Sequence, residues 1–388
     1  NPKDSLFEYN WTLYSAGHAE LDINKDSPKE DMIRNRDRNT SWLLGDSGGF
    51  QIGKGVWEGN WKDIDCPRAK KKREQVLAWM DAYMDYGMIL DIPAWVARSP
   101  EGVKATGIST YQEAVDATRI NNDYFMKNRN GNCKFLNVLQ GENHADADDW
   151  YERMKDYCDP KVYSDHFNGW SMGGQNMCDV HLVLKRLVAL RFDGLLEKGK
   201  HDFMHFLGTS KLEWATLLTD IQRAVRKYHN PNFTVTFDCA SPFLATANGQ
   251  IYCELETNDR EKWVYRMVPS IDNKAMSTDT TPFAEAFVRE GKHHSFLDSP
   301  ISNGLTAKDI CIYGPGDLNK IGKEGKTSWD SFSYGIMMGH NVWMHINAVQ
   351  EANRQYDNGI IPKMLVEEKF DRVYFKDIVE AIFATDDR

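Results

Sequence analysis

No apolar run in the chain approaches the roughly 18–20 residues that span a bilayer, so no transmembrane helix and no membrane partner are expected. Cysteine is sparse. The seven, Cys66, Cys133, Cys158, Cys178, Cys239, Cys253 and Cys311, are scattered and include no CxxC pair. An odd, dispersed set argues against a disulfide scaffold and makes a reducing cytoplasm the expected compartment. The opening Asn1-Pro2-Lys3-Asp4 has none of the features of a secretory signal. Excess positive charge is also missing: 47 Lys and Arg stand against 57 Asp and Glu, a formal charge of −10. That excludes a protein held to nucleic acid by bulk charge and leaves only a local basic groove. No GxGxxG or P-loop follows a predicted strand, which disfavours nucleotide-binding α/β folds. Ser47 lacks the GxSxG elbow of a serine hydrolase. There is no fixed-period repeat and no low-complexity linker.

What is present is enough apolar material for a large core, 41% of 388 residues, and an alternation of short apolar runs with helical patterns. Strands are predicted at 42–45, 87–91, 134–140, 169–173, 203–208 and 233–238. Helices are predicted at 70–86, from Thr110 with Glu113 placed for a capping box, and at 146–157, 178–190 and 211–228. This βαβα succession implies a parallel sheet covered by helices. The length favours a closed (β/α)8 barrel over an open sheet. Gly249 to Met267 reads as an inserted hairpin around Asn258-Asp259, and helical stretches at 329–355 and 376–385 form a C-terminal subdomain. The expected division is a catalytic barrel core over 1–285 and a helical region over 286–388.

In α/β barrels, function gathers at the C-terminal ends of the strands. The predicted strands end in Asp46, Asp91, Gln140, Gly173-Gly174, Leu207-Gly208 and Asp238, which would meet at one mouth. Two carboxylates across a substrate suit displacement at a sugar C1′, one as nucleophile and one as proton carrier. A third carboxylate beside an amide and open backbone N–H groups suits the donor and acceptor edge of a guanine-like base. Each Asp taken alone is equally an N-cap of the next helix; the joint pattern carries the reading. Ser47 and Gly48 join the substrate-binding set because the glycines after Asp46 let backbone approach a ligand closely.

These residues resemble motifs of the tRNA-guanine transglycosylase superfamily. Asp46-Ser47-Gly48-Gly49-Phe50-Gln51 is similar to its DSGG(F/Y)Q segment, and Val138-Leu139-Gln140-Gly141 to its VQG segment. Trp170-Ser171-Met172-Gly173-Gly174 resembles its (A/I)GG segment, and His205-Phe206-Leu207-Gly208 its YLMG strand. Phe237-Asp238-Cys239-Ala240-Ser241-Pro242, then Asn248-Gly249-Gln250, resembles its FDC…P…NGQ block. The order is kept over about residues 40–255. The resemblance implies that Asp238 is the nucleophile and Asp46 the general acid/base. Asp91 and Gln140 would read the guanine edge, Gly173 and Gly174 would offer N–H groups, and Phe50 and Leu207 would sandwich the base. The implied reaction replaces guanine in a polynucleotide by a free 7-deazaguanine and needs no redox cofactor or ATP.

The departures are specific. Leu90-Asp91-Ile92-Pro93 is closer to the members that take a 7-cyano-7-deazaguanine than to the queuosine type. The CxCxxC…H zinc motif is degenerate, with only Cys311 and His340 kept and His293 or His294 as substitutes. No cofactor is required; a structural zinc stays possible through those substitutes, but with the usual ligand motif degenerate less than one zinc per chain is expected, Cys311 then reading as a small core residue and His340 as capping or packing a helix. The chain is not expected to carry the C-terminal RNA-binding domains of the tRNA-directed members. The resemblance therefore points to the DNA-modifying branch of phages and some bacteria, with the target base lifted from the stack. Base exchange on tRNA is the alternative. A non-catalytic nucleic-acid-binding subunit of the same fold disagrees with the retention of both Asp46 and Asp238, and a plain N-glycosidase would differ in using water as acceptor. Arg34, Arg36, Arg38, Arg68, Lys70, Lys71, Lys72 and Arg73 are the candidate backbone contacts, with solvated surface as the competing reading. His201 and His205, four apart around a carboxylate, echo HExxH but fall on a strand. Cys239, with no histidine partner evident in the sequence, reads as pocket lining.

Overall fold

Lys134-Phe135-Leu136-Asn137-Val138-Leu139 is too short for a helix and apolar at four of six positions, and it forms a strand buried beyond its first residue. Burial on both faces is the mark of an interior strand in a parallel sheet. The computed structural model, which describes residues 6–260, 263–291, 296–369 and 372–388, places this strand at the centre of such a sheet. Its strands are β1 (Trp11–Ser15), β2 (Trp42–Asp46), β3 (Tyr86–Met88), β4 (Lys134–Leu139), β5 (Gly169–Met172), β6 (Phe203–Phe206) and β7 (Thr234–Phe237). They pair in sequence order, every neighbour parallel.

The sheet curls. Trp11 of β1 lies 6.2 Å from Phe203 of β6, and Phe203 stacks at 4.3 Å on Tyr86 of β3. Strands spaced about 4.8 Å would put β1 and β6 on the order of 24 Å apart in a flat sheet. β1 is not among the strands that the sequence predicts, and a closed (β/α)8 barrel calls for eight. The sheet holds seven, and among the described residues β7 and β1 share no ladder. The helices fall where the apolar periodicity put them: Pro67–Tyr83, Tyr111–Asn128, His144–Met154, Val180–Phe192 and Leu212–Tyr228. Thr110 Oγ1 caps the second of these by accepting from the Glu113 N–H at 3.1 Å.

By internal contacts the chain divides into two units. The first, Tyr9–Thr209 with Asp220–Asp238 and Asp377–Arg388, contains the sheet. Its core is aromatic, with Trp61, Trp79, Trp150, Trp170, Phe125, Phe135 and Phe206 fully buried. The second is built mainly from Cys239–Lys376. It holds the expected hairpin, β8 (Gln250–Glu256) antiparallel to β9 (Val264–Pro269), and the long helix Ser331–Asp357. Ile251, Cys253, Ile271, Phe283, Phe287 and Trp329 belong to its own apolar core. Residue 285, where the sequence reading divides the chain, lies inside this second unit. Among the described residues no helix is long and apolar enough to cross a membrane.

Candidate active site

The residues named from the strand ends all lie in the first unit. Asp46 is the last residue of β2. The β1–β2 register sets Ser15 opposite it, and Ser15 Oγ donates to Asp46 Oδ2 at 2.6 Å. The glycines after it are required by geometry. Gly48 has φ +86°, and a Cβ there would sit 2.5 Å from the Trp57 ring. A Cβ on Gly49 would sit 2.6 Å from the Asp91 carbonyl oxygen. The loop after β2 therefore packs directly on the segment that carries Asp91, with Ser47 buried beneath it.

Asp238 follows β7, and His205 lies on β6. Their strands are in register with His205 opposite Thr236. His205 Nδ1 is 2.8 Å from Thr236 Oγ1, and its Nε2 is 2.9 Å from Asp238 Oδ1. Gly208, left-handed at φ +62°, donates its N–H to the same oxygen at 3.1 Å. Curling of the sheet brings this cluster within electrostatic reach of Asp46. Burial pushes the Asp46 carboxyl above the usual carboxylate range; hydrogen bonds from Ser15 and Gly48 pull it back, and the charge of Asp238 adds to the rise. An acid that keeps its proton longer than usual, beside an ionisable carboxylate, is the arrangement for acid and nucleophile roles.

Asp91 lies just past β3, and Gln140 just past β4. Gln140 Nε2 donates to Asp91 Oδ2 at 2.8 Å. Burial raises the Asp91 carboxyl to about 7, against the Gln140 hydrogen bond, and the Asp46 charge adds to the rise. The segment is held by buried polar side chains: Asn121 Nδ2 donates to the Leu90 carbonyl at 2.7 Å, and the Ile92 N–H donates to Thr118 Oγ1 at 2.9 Å. A Cβ on Gly173 would sit 2.8 Å from Gln140 Nε2, and one on Gly174, at φ +55°, 2.3 Å from the Gly141 carbonyl oxygen. Glycine at both positions makes room for the amide. The Gly173 N–H, however, donates to the Leu139 carbonyl at 2.8 Å, so the expected pair of open N–H groups loses this member. Phe50 is 58% exposed on the helix after β2, 6.0 Å from the Trp95 ring. Leu207 is half-buried just past β6.

The basic candidates divide. Arg73 is buried, and its Nε donates to Asn121 Oδ1 at 2.6 Å, which makes it a strut beneath Asp91 rather than a surface contact. Arg36 is 4% exposed in its side chain and pairs with Asp85 at 2.8 Å. Arg34 donates to the carbonyls of Lys25 and Glu20. Sequence spacing shows a charge run but not which of its members the fold buries. Lys72 is half-buried over the Trp57 ring. Arg38, Arg68, Lys70 and Lys71 remain exposed.

In the second unit, Cys311 and His340 are buried. His340 uses both ring nitrogens, 2.8 Å from Ser299 Oγ and 2.7 Å from the Tyr252 carbonyl oxygen. His293 and His294 lie outside the described residues. Among the described residues no group of three or more His, Cys, Asp or Glu side chains is placed to hold a metal ion. Cys239 does have a histidine partner: His345 Nε2 is 3.5 Å from its Sγ. Burial holds that imidazole down to about 4, so it is neutral at pH 7. A cleft of about 440 Å³ lined by Asn258, Asp259, Arg260, Lys363 and Glu368 also belongs to this unit. It contains none of the groups that converge on the sheet.

Three residues of the site had no role from sequence: Ser15, His205 and Thr236. The signal for Ser15 was the β-prone run Trp11-Thr12-Leu13-Tyr14. His205 and Thr236 alternate with apolar neighbours on their strands, but only pairing of β6 with β7 brings them together. The chain matches no protein-family model, and no curated protein is significantly similar to it.

Proposed function

We propose that the chain is a guanine transglycosylase that exchanges a guanine in DNA for a free 7-deazaguanine of the 7-cyano type. The carrying observation is that the curled sheet sets Asp238 within electrostatic reach of Asp46 and Asp46 within reach of the Asp91–Gln140 pair. On this reading the sheet is a (β/α)8-type barrel left open between β7 and β1.

The residues supply each step. Asp238 attacks C1′ and forms a glycosyl ester as the C1′–N9 bond breaks, and its electron pair leaves with the guanine. Asp46, whose carboxyl is shifted toward the protonated form by burial and by the charge of Asp238, delivers a proton to the departing base. The incoming deazaguanine returns a proton to Asp46, and its ring nitrogen displaces Asp238 from C1′. Asp91 accepts from the N1–H and exocyclic amine of the base, and the Gly174 N–H and the Gln140 amide lie beside its O6 edge. Phe50 offers a ring face to the base plane. Lys70 and Lys71 are exposed cations placed to follow a phosphate backbone; Arg68, exposed but paired with Glu58 at 3.8 Å, and Arg38, which donates to the Ala82 carbonyl at 2.7 Å, would have to exchange a partner to join them.

DNA is favoured over tRNA because the zinc-motif positions that survive are otherwise engaged: Cys311 packs in an apolar core, and both ring nitrogens of the buried His340 are hydrogen-bonded. Incubation with radiolabelled guanine or 7-cyano-7-deazaguanine, offering duplex DNA and tRNA in parallel, tests this. Label in DNA is expected. Label in tRNA alone transfers the same chemistry to the other polymer, and label in neither removes the reading.

A further inference from the structure

Asp238 is gripped by one oxygen. His205 Nε2 and the Gly208 N–H both address Oδ1, at 2.9 and 3.1 Å. Among the described residues Oδ2 has no such partner. His205 is 1% exposed, and its far nitrogen is anchored 2.8 Å from Thr236 Oγ1. A carboxylate at Nε2 calls for the proton on that nitrogen, while the Thr236 hydroxyl, able to donate or accept, anchors Nδ1.

We propose that His205 is a positioning residue for the Asp238 nucleophile. Its Nε2–H, with the Gly208 N–H, locks Oδ1 and turns Oδ2 toward C1′. This rests on the reading of Asp238 as nucleophile. The covalent step forms the Oδ2–C1′ bond, breaks C1′–N9 and sends that electron pair and a proton from Asp46 out with guanine. Oδ1, which becomes the ester carbonyl oxygen, keeps both hydrogen bonds throughout. Two donors on the oxygen that does not attack fix the rotation of the carboxylate while leaving the attacking lone pairs unshared. A free carboxylate would rotate through orientations that do not react.

The test measures single-turnover formation of the protein–polynucleotide adduct on denaturing gels, using whichever of DNA or tRNA takes up label. Binding of 7-cyano-7-deazaguanine is measured alongside by calorimetry. His205→Phe keeps a ring and removes the donor; adduct formation is expected to slow about 100-fold, with base affinity within about twofold of wild type. His205→Gln restores an N–H donor and is expected to recover most of the rate, which a purely structural role would not produce. Thr236→Val leaves the imidazole in place without its anchor and should slow the step by a smaller factor, and it serves as the reading if His205→Phe does not fold. Wild-type adduct rates in His205→Phe, or in Thr236→Val when that variant is the reading, overturn the proposal. Asp238→Ala separates the two claims: adduct in that variant removes the nucleophile reading itself, whereas no adduct there with a wild-type rate in His205→Phe removes only the role of His205.

Discussion

Asp238, just past β7, carries a charge that helps hold the proton on Asp46 at the end of β2. The curl of the sheet brings the two within electrostatic reach, and the consequence is measurable. Burial is the larger cause of the raised Asp46 carboxyl, so Asp238→Asn is expected to lower its titration midpoint without returning it to the ordinary range. Carbon-13 NMR of labelled aspartate reads this. An unmoved midpoint would mean the two carboxylates are not neighbours.

Removing either carboxylate should stop exchange by a different route. Asp238→Ala is expected to abolish both turnover and the covalent adduct. Asp46→Asn is expected to lower turnover by about 10²–10⁴-fold, the usual contribution of a general acid/base, with its thermal unfolding close to wild type. A strongly destabilised Asp46→Asn would assign that residue to the fold instead.

Base recognition should depend on pH through Asp91. Its carboxyl, raised to about 7 by burial, must be ionised to accept from the guanine edge. Affinity for the base is therefore expected to rise from pH 5.5 to 8, and Asp91→Asn should bind weakly and without that slope. The lost charge-assisted hydrogen bonds are worth about 1.5–3 kcal/mol. Stability runs the other way. A carboxyl with a raised folded pKa contributes most below its unfolded value of about 3.9, and that contribution is lost as pH climbs through about 7. Asp91→Asn should thus gain stability relative to wild type between those limits, as thermal melts across pH would record.

The basic residues should separate by burial. Arg73→Ala removes the strut on Asn121 and should destabilise the protein by about 3 kcal/mol, the scale of a broken buried polar network. Charge reversal at Arg68, Lys70 and Lys71 should leave the melting temperature nearly unchanged and flatten the salt dependence of polynucleotide binding. A steep salt slope in that triple variant would place the phosphate contacts elsewhere.

Acid should weaken the fold through its buried histidines. Burial holds His201, His340 and His345 at about 4, below the unfolded value of about 6.5. Their contribution is present above that value and is lost as pH falls toward 4. His340→Asn should be less stable at pH 7 and lose part of the acid slope in urea titrations; an unchanged slope would remove His340 from this group.

Much of the architecture was legible because it is local. Six of the seven parallel strands and their covering helices announce themselves as short apolar runs alternating with helical periodicity. β1 did not, because Trp11–Ser15 is only partly buried and its neighbours gave no helical pattern to frame it. The Asp46-Ser47-Gly48-Gly49 loop was readable since its glycines answer to steric limits that act within one turn. Arg73 was misread for the opposite reason: Lys70, Lys71 and Arg73 look alike as a run, and only the helix face turned toward Asn121 separates them.

The residue types at the strand ends, their order and the glycines that admit close backbone approach were determined by the sequence alone, since these depend on neighbours along the chain. Which of them touch was decided by the tertiary structure. Strand register set Ser15 on Asp46 and Thr236 on His205, and sheet curvature carried β2 and β7 toward each other. Both are properties of hydrogen bonding and packing between distant segments, and no short stretch of sequence encodes them.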